Sequence, residues 1–224
     1  MSSRYTLYET EKLGTRFNVS GGLLGNLKKR YNISPTQSAP VVVSRGGEPR
    51  LEMMKWGFIP KGAKDANSVF RYKTFNTRSE GIFEKPATRE AIRISRCLVP
   101  SNGYYEWVVN SVVKQPLLIR PSDQDIFSFA GIYRSWQDPA GVQWGTFSII
   151  TTIPSRDVEA INDRMPVILR ATDESRWLNP AIDNMNALYD VMRSYPDGML
   201  LIDKVGSDVN SIKIDNSRLI YPIK

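Results

Sequence analysis

The 224-residue sequence predicts an α+β fold: one domain with a strand-rich, mixed-sheet or barrel-like core and helices at its periphery. Three observations predict it. Segments with period-2 alternation or short apolar runs dominate the chain. Helical stretches are fewer and fall between strands without the regular βαβ alternation of a doubly wound sheet. No internal repeat or low-complexity linker divides the chain, and at 41% hydrophobic and 24% charged it has ample apolar material for one core.

In chain order, residues 4–8 read as the first strand. Residues 23–30 read as a helix ending in Lys28-Lys29-Arg30, a solvated basic terminus favoured by the helix dipole. Strands follow at 40–44 and 51–59. A helix over 85–92 carries Pro86 in its first turn, where a missing N–H costs nothing. Strands at 97–100, 104–109 and 112–119 come next, the last returning on its predecessor through an Asn110-Ser111 turn. Strands at 126–134 and 146–153, then helices at 173–178 and 185–194, lead to a tail, 199–224, that reads as further strands folded back on the body.

Thirty Lys plus Arg against 23 Asp plus Glu give a formal charge of +7, which attracts polyanions and makes nucleic acid a candidate partner. The single cysteine, Cys97, excludes an internal disulfide and fits a reducing compartment. No apolar run is long enough to span a bilayer and the start offers no leader-like apolar region, so the reading is a soluble cytoplasmic protein without a membrane partner. The chain has no histidine. Its chemistry must therefore run on carboxylates, amides, hydroxyls or the N-terminal amine.

Four stretches place polar groups where a plain strand would not want them: MSSRYTL at the start, FNTRSE (75–80), RCLVPSNGYYEW (96–107) and INDRMPVIL (161–169). With them stand RYNISPTQSAPVV, KWGFIPKGAKD, FAGIYRSW and SIITTIPS. In this order and spacing the set resembles the SOS response-associated peptidase family, whose members act as abasic-site processing proteins. The resemblance runs from the first residues to about Leu178, with a weaker echo in the tail.

The resemblance implies a single-domain fold and a covalent reaction with single-stranded DNA carrying an abasic site. In the family an N-terminal cysteine, exposed by methionine removal, captures the ring-opened aldehyde as a thiazolidine, assisted by an asparagine, a glutamate and a histidine. By motif these positions fall on Ser2, Asn76, Glu106 and Asn162. Two of the four are changed, with Ser2 for the cysteine and Asn162 for the histidine. A freed Ser2 amine, with a reference pKa of roughly 7.7–8.0, can still give an imine, but the hydroxyl is a poor ring-closing nucleophile and the adduct should hydrolyse. Glu106 is the candidate acid–base group if its aromatic surroundings raise its pKa.

For DNA, Arg4, Arg78 and Arg164 are the candidate phosphate contacts, and their coincidence with a basic chain favours that over pairing with Glu80 or Asp163. Trp56 and Phe58 with Lys55, Lys61 and Lys64 mix aromatic and basic groups as single-strand grooves do. Trp56, Trp107 and Trp136 read as core before stacking platforms, as does Cys97 for its own part, and of the three tryptophans Trp56 is the one best placed to show a face to DNA. By family analogy alone, Pro40 and Thr151 edge the channel. No metal or other cofactor is expected, and a monomer is. Three readings stay open: imine-forming enzyme, catalytically degenerate single-stranded or junction DNA-binding module, and N-terminal-serine peptidase.

Overall fold

The computed structural model describes residues 3–59, 73–110 and 113–223. Two sheets share one hydrophobic core. The five-stranded sheet is antiparallel throughout, in the order β13 (Leu200–Lys204), β8 (Val113–Pro121), β7 (Gly103–Asn110), β1 (Tyr5–Leu7) and β2 (Arg30–Ile33). In the larger sheet, β4 (Glu48–Trp56), β3 (Ser38–Arg45), β6 (Arg96–Ser101), β9 (Phe127–Gln137) and β10 (Gln143–Thr152) pair in sequence. Because β9 also pairs with β10, these five close into a barrel. The short strands β5 (Asn76–Arg78) and β11 (Met165–Pro166) extend from β10, and β12 (Ile168–Leu169) from β9. The expected strand-rich α+β architecture is what forms.

Closure requires close backbone approach, and Gly131 in the FAGI segment of β9 shows why. A Cβ there would lie 2.7 Å from Cys97 Sγ and 3.0 Å from Val99 Cγ2 on the neighbouring β6. Cys97 is fully buried, and burial pushes its thiol pKa up, as befits a core residue.

Helices α1 (Leu13–Phe17), α2 (Pro86–Ile94), α3 (Arg156–Glu159), α4 (Ala171–Leu178) and α5 (Met185–Val191) lie between the strands in sequence. The expected helix over 23–30 does not form. Only a 3-10 turn, Leu24–Asn26, is present, and Arg30 already belongs to β2, whose pairing with β1 overrides the leucine spacing. The tail likewise contributes one strand, β13, followed by 3-10 turns at Ser207–Asn210 and Ser217–Ile220. The Asn110↔Val113 pair closes the β7–β8 ladder, while the turn expected there falls outside the described residues.

Arg96 joins helices to barrel. It is 4% exposed, and its guanidinium donates only to backbone carbonyls: Nη1 to Ile92 and Arg93, Nε to Trp177, Nη2 to Asn179 and Ile182, all at 2.6–3.0 Å. Four of these are carbonyls at the ends of α2 and α4, which lack intrahelical partners and carry partial negative charge, and the fifth, Ile182 O, belongs to the turn that follows α4. Arg96→Met should strand them in the interior and cost ~3–5 kcal/mol, read as a lower urea midpoint at unchanged slope. A loss below 1 kcal/mol would mean that water reaches these carbonyls.

Candidate functional site

On β7 the alternation of a strand sends Tyr104 and Val108 into the main core, and Tyr105 and Trp107 toward a second cluster on the outer face. Glu106 shares the inward parity and is 3% exposed. Burial pushes its carboxyl up to about 7, against the opposing pull of a hydrogen bond from Asn162. Burial therefore favours the protonated carboxyl there well above the range in which an ordinary glutamate ionises.

Asn162 is held by its own loop. Its backbone N–H closes the turn after α3 on Val158 O at 3.0 Å, and its Oδ1 accepts from Arg164 N at 3.2 Å. That leaves Nδ2 to donate to Glu106 Oε2 at 3.0 Å. Two of the expected catalytic positions, 56 residues apart, are therefore in direct contact.

Asn76 arrives from β5, parallel to β10 with Asn76 opposite Ile149. It lines a cavity of ≈ 10 Å³, about the room of one water, with Tyr5, Trp56, Tyr104 and Thr151. Tyr104, which lines the same cavity, stands two residues from Glu106 on the same face of β7. Ser2 lies outside the described residues. The strand that follows it is informative: Tyr5 pairs with Tyr104, and Arg4 O accepts from Tyr105 N at 3.0 Å. Traced toward the N-terminus, the chain therefore runs along β7 in the direction of Glu106.

The aromatic and arginine expectations need correction. Trp56 is 1% exposed; its Nε1 donates to Phe75 O at 2.7 Å and its ring stacks on Phe147. It supports the backbone beside Asn76 and has no face for a base. Phe58 is equally buried, and Lys55 sits over the Trp144 ring at 3.5 Å. Lys61 and Lys64 lie outside the described residues. Trp136 is buried and Trp107 only partly so.

Arg164 is 8% exposed and makes a bidentate pair with Glu80, at 2.7 and 2.8 Å, while also donating to Thr151 O at 2.6 Å. That ion pair holds the Glu80 carboxyl below its ordinary value. Its fork therefore ties the INDRM loop to FNTRSE across β10, and pairing with Glu80 prevails over a free phosphate-binding fork. Arg4 donates to Asn32 Oδ1 at 3.0 Å and Val209 O at 2.8 Å. Arg78 alone of the three is exposed. Thr151 is 1% exposed, and Pro40, buried on β3, lines a groove of ≈ 250 Å³ beside Lys28 and Arg30.

Asn32 was not singled out from the sequence, and Glu80 entered only as the rival partner of the motif arginines. Glu80 sits in a quoted motif beside Arg78, but its partner is 84 residues away. Asn32 had a weak signal, as a polar residue inside the alternating stretch Tyr31-Asn32-Ile33. Among the described residues no cluster of three or more Cys, Asp or Glu has metal-binding geometry, and no helix is long and apolar enough to cross a membrane.

A family model described as SOS response associated peptidase (SRAP) matches residues 1–212. The chain belongs to this family. Abasic site processing protein YoqW of Bacillus subtilis is 35% identical over 223 residues, covering 98% of this chain and 99% of that protein. Abasic site processing protein HMCES of Gallus gallus is 29% identical, covering 89% of this chain and 68% of its own length. A crystal structure of a protein from Bacteroides thetaiotaomicron superposes with a TM-score of 0.86 at 28% identity, covering 100% of this chain and 98% of that one. In this SRAP protein Asn162 rests on Glu106.

Proposed function

We propose that this protein binds single-stranded DNA at an abasic site and captures the ring-opened aldehyde through the amine of Ser2 as a hydrolysable imine. The observation that carries the reading is Glu106: a buried carboxyl pushed up to about 7, held by Asn162, beside the strand that leads back to the N-terminus. The naming of similar proteins as abasic site processing proteins supports the same substrate.

In the proposed reaction the neutral amine adds to the aldehyde carbon and gives a carbinolamine. Protonated Glu106 then delivers its proton to the departing hydroxyl, water leaves, and the nitrogen lone pair forms the C=N bond. Asn162 fixes the carboxyl but carries no proton at neutral pH. The Ser2 hydroxyl closes the ring poorly, so hydrolysis returns the free amine. A second reading, non-covalent binding at the same lesion, is favoured by that missing proton carrier at position 162.

Borohydride separates the two. Protein with Ser2 verified as its N-terminus by intact mass is incubated with a single-stranded abasic oligonucleotide, and a denaturing gel reads the adduct. A band that requires borohydride is expected; non-covalent binding with no band at all would leave only the second reading.

For the phosphate backbone the proposal rests on Arg78, the exposed one of the three motif arginines. Arg78→Ala should weaken binding and flatten the dependence of log K on log salt by about 0.7, the value of one released counterion on a single strand. An unchanged slope would remove Arg78 from the contact set.

A further inference from the structure

The chain start is held from behind by the chain end. After β13 the tail covers the outer face of the five-stranded sheet, where Val205, Val209 and Leu219 pack on Tyr105 and Leu118. At the centre of this contact Asn32 is completely buried. Its Nδ2 donates to Val209 O, Ser211 O and Ile214 O at 2.9–3.2 Å, while its Oδ1 accepts from Arg4 Nη1 at 3.0 Å. The same Arg4 nitrogen donates to Val209 O. Asp215 completes the arrangement by accepting from the backbone N–H groups of Tyr31 and Asn32 and from Arg30 Nε.

β2 is an edge strand, and those two N–H groups would otherwise face outward without a ladder. The Asp215 carboxylate takes the place of a neighbouring strand. Ile214, Asp215 and Leu219 all lie beyond residue 212, where the family match ends.

We infer that the segment 207–220 is a clamp that holds β1 in register on β7, and that Arg4 and Asn32 are positioning residues for the N-terminal amine rather than phosphate contacts. Every link runs through β1 or β2: tail to Asn32, Asn32 to Arg4, and Arg4, through its backbone carbonyl, to Tyr105 next to Glu106. The kinetic consequence rests on the proposed imine chemistry. The mechanical one does not. Loosening the clamp moves the nucleophile without removing any group that touches DNA, and a misplacement of about 1 Å can cost on the order of a hundredfold in rate.

The test uses Arg4→Ala and the milder Asp215→Ala in the full chain. Hydrogen exchange is followed at the β1 and β10 amides. Binding is measured on a single strand with a non-reactive abasic analogue, and the borohydride-trapped rate at saturating reactive DNA. Both variants should speed exchange in β1 about tenfold or more while β10 keeps its protection. The trapped rate should fall by roughly ten- to a hundredfold, with affinity and salt slope within about twofold of the parent.

Unchanged β1 exchange in both variants overturns the clamp. So does an Arg4→Ala protein that binds more weakly with a shallower salt slope yet reacts normally at saturation, since that is how a phosphate contact behaves. A parent protein that gives no adduct defeats the proposed chemistry alone, and the exchange measurement still decides the clamp.

Discussion

The double variant Ser2→Cys, Asn162→His should convert a transient adduct into a crosslink that survives denaturation without borohydride. The two changes act on different steps. Once the imine has formed, a thiol adds across C=N: the sulfur–carbon bond forms, the thiol proton passes to nitrogen, and the closed ring no longer hydrolyses readily. A serine hydroxyl does this far less well. The histidine restores a group that titrates near neutrality, placed beside Glu106 where Asn162 now sits. The local frame suits it, because Asn162 accepts from Arg164 N and donates to Glu106, and an imidazole offers one acceptor and one donor on its two ring nitrogens. A positioned acid–base group is worth ~10²–10⁴-fold in rate. Ser2→Cys alone should therefore give a durable band that accumulates slowly. Asn162→His alone should give faster trapping that still needs borohydride. A time course on denaturing gels separates these outcomes. A folded, correctly processed double variant with no stable band would mean that the pocket no longer brings its N-terminus to the aldehyde.

Much of the scaffold was legible because strands announce themselves locally. The alternation in β7 and β8 and the apolar runs of β6 and β9 are properties of a few neighbouring residues, and β pairing then selects among them. The same parity explains the error over Trp56. Lys55 and Trp56 are consecutive on β4, so a lysine kept partly in solvent sends the tryptophan into the core. A family motif drew attention to the aromatic, but strand geometry decided its direction. Residues 23–30 misled in the opposite way. Their leucine spacing suited a helix, while the pairing that makes Arg30–Ile33 a strand came from β1, and the Asp215 that caps its open edge lies 184 residues beyond Tyr31.

In the candidate site, motifs singled out Asn76, Glu106 and Asn162, and the fold brings Glu106 and Asn162 into contact. What could not be read was the destination of the arginines. A motif arginine on a basic chain suggests phosphate. Yet Arg164 finds Glu80 and Arg4 finds the tail, partners set by the folded chain rather than by nearby sequence.

Glu106→Gln should change both the pH profile and the stability curve, and the signs are fixed by the direction of the shift. The proposed reaction needs Glu106 protonated, which is favoured below about 7, and the amine neutral, which is favoured above roughly 8. Their product is a bell centred between those values. Glutamine cannot supply the proton, so the variant should react ~10²–10⁴-fold more slowly and lose the alkaline limb, keeping only the rise that follows the amine.

Folding should respond in parallel. The carboxyl titrates near 4.5 in an ordinary setting and about 7 here, so the folded protein holds its proton where the unfolded chain has released it. The stability linked to Glu106 is complete below about 4.5 and is lost as pH rises through 7, a loss on the order of 3–4 kcal/mol. Glutamine removes that dependence. Urea midpoints at pH 5 and pH 8 should therefore fall for the parent and stay closer together for the variant. If the two proteins instead keep a constant difference in stability across that range, Glu106 titrates as an ordinary carboxylate and cannot be the acid of the reaction.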